Sequence, residues 1–448
     1  MTEAPATTER TRLRQGDELE LVIDSLAQGG RGVARANGYV VFVAGALPGD
    51  RVRARLTRAK RQFGEAKTVE LLRPSAERVA DRDLHGGEPC PGAPWQGMAY
   101  ERQLEEKSRQ VAEALTRIGG LEGFEVEPIE PAVEQWRYRN KLEYSFGHGD
   151  DNSVALGFHR RGSWAEVVDV DDCLLASEAN NAARNAVRDW ARAEELEPLD
   201  RRTNRGALRN LVVREGRRTG ELQTRLVTSA EQIPRPPVDL HTVIEGPKGD
   251  TEGPTGVLGE EHLHEELGGL RFRISHDAFM QTNTEMAERL YEIAGDFAGL
   301  SGSERVFDLY CGIGTIALSL AARAGEVWGL ESVPEAIADA EHNASANGIA
   351  SAHFVSADAR LGIRPLLERV GRPDVAIVDP PLAGLSAKIV RRLLECQARR
   401  IVYVSCNPTT LAPNAAQIVE AGYTLRRVKP VDMFPQTPHV ETVAVFEK

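Results

Sequence analysis

The sequence predicts an α/β protein in three parts: a small all-β barrel at the N-terminus, a central α+β region, and a C-terminal sheet of mostly parallel strands with helices on both faces. Two patterns carry the prediction. Residues 14–72 hold short strand-like runs separated by Gly- and Pro-containing turns, a pattern that suits a small barrel. From about Asp277 the runs RVFDLY, EVWGLE, AHFVSAD, DVAIVDPP and RIVYVSCNP alternate with helical ones, and TLRRVKPV and VETVAVFE follow as late strands, seven in all. Strands that alternate with helices form a parallel sheet through right-handed crossovers. The expected boundaries are 1–12 for a disordered polar tail, 13–74 for the barrel, 75–274 for the central region and 275–448 for the α/β domain.

In the barrel, Leu19, Leu21 and Ile23 alternate with polar residues, as on a half-buried strand. QGGRGVA, YVVFV, the turn ALPGD and RVRARL follow. The stretch from Arg51 to Arg73 carries eight cations (Arg51, Arg53, Arg55, Arg58, Lys60, Arg61, Lys67, Arg73) against Glu65 and Glu70. This basic third strand is expected to track a phosphate backbone. Residues 101–118 read as an amphipathic helix with Leu104, Val111, Leu115 and Ile118 on one side. Strands alternate with one helix, near 177–194, from Trp136 to about Arg214. The Pro- and Gly-rich stretch 231–260 reads as loops. His262, His264 and Glu265 lack the partner set of a zinc site and read as a polar hairpin.

The 448 residues carry a net charge of −12, with 41% hydrophobic and 27% charged residues. That balance suits folded soluble domains. It argues against non-specific nucleic-acid binding over the whole surface and leaves local basic patches. No apolar run approaches the ~20 residues of a membrane helix, and MTEAPATTERTR lacks the apolar centre of a signal peptide. A cytoplasmic monomer with no membrane partner is expected. Five cysteines (Cys90, Cys173, Cys311, Cys396, Cys406) make no disulfide framework. They suit a reducing compartment, where a single thiol can be a nucleophile.

The run DLYCGIGT, Asp308 to Thr315, lies between a strand and a helix. Gly312 and Gly314 let the backbone turn tightly and approach a ligand. The second strand ends at Glu331, where an acid can accept hydrogen bonds from ribose hydroxyls. Asp358 ends the third strand within reach of an adenine amine. The loop lacks the full GxGxxG and the Walker lysine, which disfavours a dinucleotide or a nucleoside triphosphate. Together these elements point to S-adenosylmethionine.

Asp379 ends the fourth strand in VDPP and Cys406 ends the fifth in SCNP. Ligands of open α/β sheets sit outside the carboxyl ends of the strands. Neighbouring strands lie about 4.8 Å apart, so the two residues should line one crevice. A thiol there has a chemical use. Carbon 5 of uracil is too weak a nucleophile to take a methyl group unaided, and a thiolate adding to carbon 6 makes it an enolate carbon. A base must then remove the carbon-5 proton. Glu441, at the start of the last strand, reaches the same edge if that strand runs antiparallel beside the fifth.

These residues together resemble the uridine-carbon-5 RNA methyltransferases, a family with a Rossmann-like seven-stranded methyltransferase domain. QGGRGVA and FVAGALPGD are similar to its TRAM barrel, and RYRNK and GFHRRGS to its middle domain. FMQTN resembles its FFQVN, and DLYCGIGT, VDPP, YVSCNP and DMFPQTPHVET its catalytic motifs. The resemblance implies that Gln281, Tyr310, Glu331 and Asp379 bind S-adenosylmethionine, with Thr315 at a further cofactor position. It also implies that Cys406 is the nucleophile and Glu441 the base. The TRAM barrel favours 23S ribosomal RNA over tRNA as substrate. Phe279 and Tyr310 are candidates to stack on a base or on adenine, and His439 to touch RNA.

Two departures matter. Many TRAM-bearing members hold a four-iron cluster on four cysteines. Here Cys90 and Cys173 match ligands, Ala93 stands where a third would be, and no cysteine precedes Cys90. No cluster and no other metal site is expected, with both cysteines as ordinary thiols. Leu382 stands in DPPLAG where the family usually has Arg, which removes a cation near the RNA path. Alternative readings are a tRNA uridine or RNA cytosine-carbon-5 methyltransferase, or a non-catalytic RNA-binding assembly factor.

Overall fold

The computed structural model describes residues 13–448 except 150, 161–162, 164, 201–202, 204, 230–232, 237, 239 and 246–250. The tail expected to be disordered lies outside the described residues, as do Arg161 and Gly162 of GFHRRGS. The chain divides into two compact units, Met1–Asp81 with Pro94–Glu106, and Arg82–Ala93 with Lys107–Lys448.

The first unit is built on β1 (Glu18–Val22), β2 (Ser25–Leu26), β3 (Gly32–Ala36), β4 (Tyr39–Ala44), β5 (Arg51–Ala59) and β6 (Phe63–Arg73), in the spatial order β1-β5-β6-β4-β3-β2. Inward residues alternate along each strand, and Leu21, Ile23, Val41, Val43, Val52, Ala54 and Leu56 form the core. The basic strand is the fifth and not the third, because the two-residue β2 and the separate β3 precede it. Its outward arginines are paired: Arg51 with Glu20 at 3.0 Å, Arg55 with Glu18 at 2.7 Å, and Arg53 with Glu70. Such exposed pairs stabilise by about 0–1 kcal/mol. Arg58, Lys60 and Arg61, around the β5–β6 turn, are exposed.

In chain order, β7 (Leu84–His85), β8 (Glu88–Pro89), α1 (Tyr100–Glu113) and β9 (Glu125–Val126) come next. Helix α1 runs on as a π-helical turn, Ala114–Ile118. The wider turn carries Ile118, expected on the apolar side, out to 55% exposure, while Val111 and Leu115 are buried.

The central sheet comprises β10 (Lys141–His148), β11 (Val154–His159), β12 (Val167–Asp169), β13 (Leu208–Glu215), β14 (Leu222–Thr228), β15 (Leu240–Glu245) and β16 (Thr251–Val257), ordered β12-β11-β10-β13-β14-β15-β16. Helix α2 (Glu178–Ala193), capped by Ser177, which accepts from the Asn180 N–H, contributes Val187 and Trp190 to a core with Tyr144, Leu156, Leu211 and Val213. The expectation of loops over 231–260 is corrected: β15 and β16 lie there, β15 parallel to β14. Pro254 is tolerated because β16 is an edge strand with a register shift beside it. The hairpin β17 (Leu263–Leu267) and β18 (Leu270–Ile274) forms where the His/Glu run predicts it. Glu265 is buried and accepts from the N–H groups of Arg217 and Arg218 and from Thr284 Oγ1.

The last part follows the strand–helix alternation: α3 (Thr284–Ala298), β19 (Arg305–Leu309), α4 (Thr315–Ala321), β20 (Glu326–Glu331), α5 (Pro334–Ala346), β21 (Ala352–Ser356), α6 (Ala359–Val370), β22 (Val375–Val378), α7 (Ala387–Glu395), β23 (Arg400–Ser405), α8 (Pro408–Glu420), β24 (Thr424–Val431) and β25 (Glu441–Glu447). The order is β21-β20-β19-β22-β23-β25-β24-β9, so β9 adds a short eighth strand to the expected seven. Strands β19 to β23 are parallel, and all but the edge strand β21 are buried on both faces, hence their continuous apolar runs. The chain reverses its direction of strand addition between β19 and β22, which opens a crevice at their carboxyl ends. No helix among the described residues is long and apolar enough to cross a membrane.

Candidate active site

The crevice is built from the residues that end these strands. After β19 the chain turns at Tyr310, whose φ is +69°. A non-glycine residue rarely holds that conformation, and here the Tyr310 and Cys311 N–H groups both donate to the Leu330 carbonyl, at 2.9 and 3.2 Å. Gly312 and Gly314 follow with φ of +53° and +86°, and Gly314 is the N-cap of α4, with Thr315 its first residue. A Cβ on Gly314 would sit 3.0 Å from the Phe354 ring.

Glu331, at the end of β20, stitches this loop to its own. Its Oε1 accepts from the N–H groups of Ser332 at 2.6 Å and Val333 at 3.0 Å, and its Oε2 accepts from the Gly312 N–H at 3.3 Å. Ser332 Oγ also donates to Oε1, at 2.9 Å, so only Oε2, which holds the single Gly312 contact, has a lone pair left for a ribose hydroxyl. Asp358 is exposed and caps α6, accepting from the Arg360 N–H at 2.9 Å. The cap is therefore its visible role in the structure.

The fifth strand and the last are antiparallel neighbours, with Ser405 opposite Thr442. Cys406 directly follows Ser405 and Glu441 directly precedes Thr442, so both lie at the edge where β23 leaves the core, near enough for Glu441 to act on the thiol. Opposed residues of an antiparallel pair have Cα atoms about 4.5–5.5 Å apart. The rest of SCNP fixes the turn. Ser405 Oγ donates to the Asn407 carbonyl, and Asn407 caps α8 by accepting from the Thr409 N–H at 3.0 Å. Pro408 opens that helix, where its missing N–H costs nothing. Cys406 itself is half-buried. Burial, with Glu441 and Asp379 nearby, pushes its thiol up to about 12.

Three carboxyl groups share the crevice. Asp379 directly follows β22, and burial pushes its carboxyl up to about 7. Glu441 is 2% exposed, and burial, then Asp379, pushes it up to about 8. Its Oε2 is buried with no hydrogen-bond partner. Asp308, fully buried inside β19, is pushed up to about 7 by burial and then by Asp379. The sequence reading passed over Asp308, because an acid inside an apolar strand looks like one more letter of the glycine motif. Its available signal was position, in the strand that feeds the crevice. Buried acids, two of them raised further by Asp379, with an orphaned oxygen among them, fit a cationic ligand such as a sulfonium.

The other motifs converge through backbone contacts. Asn140 of RYRNK donates from Nδ2 to the Gln281 carbonyl at 3.0 Å and to Thr284 Oγ1 at 2.9 Å. Asn283 caps α3 and donates to the Met433 carbonyl at 2.9 Å. Tyr138 donates to the Pro435 carbonyl at 3.0 Å, and Lys107, fully buried, pairs with Asp432. Gln281 is thus held at 6% exposure between the central sheet and the loop that leads into Glu441. Phe279 is 67% exposed and Leu382 59%. His439 is exposed on that same loop, its ring edge-on to Phe434 with centroids 6.0 Å apart. A recess of about 560 Å³ between the β17–β18 turn, α3 and the end of α4 shares no residue with the crevice.

Residues 12–69 match the TRAM domain, and residues 257–448 match the family described as tRNA (uracil-5-)-methyltransferase. With the crevice just described, the match makes the protein an S-adenosylmethionine-dependent RNA methyltransferase. It is 37% identical to a protein of Halalkalibacterium halodurans called an uncharacterized RNA methyltransferase, over 97% of this chain and 98% of that one. Another so called, from Chlorobaculum tepidum, is 36% identical over 99% of both chains. The crystal structure of Pyrococcus abyssi tRNA (uracil-54, C5)-methyltransferase in complex with S-adenosyl-L-homocysteine superposes with a TM-score of 0.77 at 30% identity, covering 96% of this chain and 100% of that one. The chain belongs to the TRAM-containing uracil-C5 RNA methyltransferase family.

Proposed function

We propose that the protein methylates carbon 5 of a uridine in 23S ribosomal RNA, with Cys406 as nucleophile and Glu441 as base. The observation that carries this reading is that Cys406 and Glu441 flank the Ser405–Thr442 pair at one sheet edge, with Glu441 and Asp379 both acting on the thiol. Cys406, as thiolate, bonds to carbon 6, and the carbon 5–carbon 6 electron pair moves onto the oxygen at carbon 4. S-adenosylmethionine supplies an electrophilic methyl group, which the enolate carbon takes as the sulfonium becomes a neutral thioether. Glu441 then accepts the proton from carbon 5. The double bond reforms, the bond between sulfur and carbon 6 breaks, and Cys406 leaves as thiolate. Gln281, Tyr310, Gly312, Gly314, Thr315, Glu331, Asp358 and Asp379 line the cofactor's place in this reading. An orphaned Glu441 oxygen suits a group whose task is to receive a proton only when substrate is bound.

A second reading, a tRNA uridine, is favoured by the Pyrococcus abyssi enzyme. The match covers 96% of this chain and so takes in most of the barrel, which means a TRAM barrel does not by itself select ribosomal RNA. Incubating the purified protein with labelled cofactor and unmodified 23S RNA or tRNA, followed by nucleoside mass spectrometry, separates the cases. The expected product is 5-methyluridine in 23S RNA. 5-Methyluridine in tRNA alone replaces the substrate, 5-methylcytidine replaces the base, and no incorporation into either RNA leaves a binding protein.

A further inference from the structure

The four-iron cluster of related TRAM proteins does not fit this chain. Ala93, fully buried, fills one ligand place with a methyl group, and only Cys90 and Cys173 supply sulfur there. A cluster of that kind needs four thiolates. The structure brings two other donors to the pair. Asp83, His85, Cys90 and Cys173 each present one ligand atom, and the four atoms lie within 4.8 Å of one another. Asp83 Oδ1 is 3.5 Å from His85 Nε2, and Asp83 Oδ2 is 4.0 Å from Cys173 Sγ. All four residues are at most 6% exposed, and His85 Nε2 is buried without a hydrogen bond.

The local fold holds these groups in place. Strands β7 and β8 pair, with His85 opposite Glu88, and the Cys90 N–H donates to the Asp83 carbonyl at 2.9 Å, folding the Asp-x-His-x4-Cys run onto itself. Cys173 is held from the other side. Its N–H donates to Asn181 Oδ1 at 3.0 Å, and its carbonyl accepts from Asn181 Nδ2 at 3.0 Å and from Arg137 Nη1 at 3.1 Å. Around them lie Tyr138, Tyr144, Val170 and Leu175, all buried.

We propose that Asp83, His85, Cys90 and Cys173 form a closed, mononuclear zinc site in place of a four-iron cluster. Two thiolates, an imidazole nitrogen and a carboxylate are a complete tetrahedral set for zinc, with no position left open for chemistry. Calcium and magnesium take all-oxygen sites, which excludes them here. Bond lengths of about 2.0–2.3 Å put tetrahedral neighbours roughly 3.2–3.8 Å apart. The 3.5 and 4.0 Å pairs are already close to that range, and the widest pair closes by about an ångström. Two thiolates and a carboxylate carry three negative charges, and a divalent cation reduces the buried total to one, where unpaired buried charge is costly. The metal's task is structural: it fastens the Asp83–Cys90 run to the segment that precedes α2. This site is independent of which RNA is methylated.

The test is metal and sulfide analysis of the full chain, purified without oxygen or chelators. About one zinc per chain is expected, with neither iron nor acid-labile sulfide in stoichiometric amount. Cobalt(II) in exchange should give a thiolate charge-transfer band and the strong d–d bands of a tetrahedral site. Cys173→Ser and His85→Ala should lower zinc retention at least about tenfold, and His85→Cys should restore it. The wild-type analysis and cobalt spectrum decide the matter even if a variant fails to fold. Four irons with sulfide would overturn the proposal. So would a metal-free Cys90–Cys173 disulfide, a colourless cobalt titration, or stoichiometric zinc that persists in a Cys90→Ser, Cys173→Ser double variant.

Discussion

At the sheet edge, Asp379 and Glu441 lie near a half-buried thiol, Cys406, and burial raises them and Asp308, with Asp379 adding to Asp308 and Glu441. In the central region Asp83, Cys90 and Cys173 are equally anionic when ionised, but an imidazole joins them and all four are shut off from solvent. Both clusters suit a cation, and they differ in access: Asp308 and Glu441 are as buried as the four donors, but Cys406 and Asp379 are only partly buried and open the crevice. An open cluster suits a sulfonium that arrives and leaves with each turnover, whereas a closed one with a nitrogen donor suits a metal that stays. In the proposed reading the thiols divide accordingly: Cys406 reacts, and Cys90 and Cys173 hold.

The largest effect that tests this division is on chemistry. Cys406→Ala should lower methylation at least about 10³-fold and abolish the covalent adduct with 5-fluorouridine RNA, while leaving the melting temperature nearly unchanged. Retained adduct would remove this residue from the mechanism. Cys173→Ser should show the reverse pattern, several degrees of melting lost and methylation per folded molecule kept. Glu441→Gln comes next. It keeps the shape and removes the proton acceptor, so turnover should fall about 10²–10⁴-fold while a methylated protein–RNA adduct accumulates on a denaturing gel. Loss of the adduct along with turnover would place Glu441 before the methyl transfer instead of after it.

The pH dependence sharpens the contrast further. Asp379 and Glu441 must ionise to receive a cation, and burial places them at about 7 and about 8. In the free enzyme kcat/KM for S-adenosylmethionine should therefore rise with pH through about 7–8. Bound sulfonium favours the ionised carboxylates, so the acid limb of kcat should lie at lower pH. A limb at the same pH in both profiles would mean that the cation does not act on these acids. Asp308 supplies the stability counterpart. Its raised folded value means that stability is fully present below the ordinary carboxylate range and is lost as pH rises through about 7. Asp308→Asn should gain on the wild type between pH 5 and 8, by at most a few kcal/mol, as read by urea unfolding at each pH. A difference that does not change with pH would show Asp308 already ionised.

Much of this was legible in the sequence because period and punctuation are local. The strand–helix alternation, the glycines of DLYCGIGT and the break from IVYV to SCNP each announce themselves within a few residues, and they placed Cys406, Asp379 and Glu331 at strand ends. Placing Glu441 at the same edge as Cys406 needed one further inference, that the last strand runs antiparallel beside the fifth, and that direction is observed. What escaped was non-local or masked by composition. Strands β15 and β16 form in a Gly- and Pro-rich stretch through pairing with β14 and with each other. The π-helical turn that rotates Ile118 outward leaves no sequence mark. The Asp83–His85–Cys90–Cys173 group was missed because a search for cysteines alone finds two, and the fourth donor lies 83 residues beyond Cys90.

The smallest expected effect concerns Leu382, where the family's usual arginine is absent. Its carbonyl is fixed, accepting from Thr410 Oγ1 at 3.2 Å and Asn407 Nδ2 at 3.4 Å, so the backbone is tied to the turn that carries Cys406. Its side chain is 59% exposed, and Leu382→Arg adds a guanidinium on the segment tied to that turn without disturbing packing. One added phosphate contact should tighten RNA binding about 2–10-fold at low salt and steepen the salt dependence by about 1 in log–log slope. Because the arginine would touch substrate and transition state alike, KM should fall with kcat unchanged. A rise in kcat would instead mean that the cation acts on the reacting base. Unchanged affinity and slope would place this position off the RNA path, so that the lost arginine would not bear on how the crevice holds its RNA.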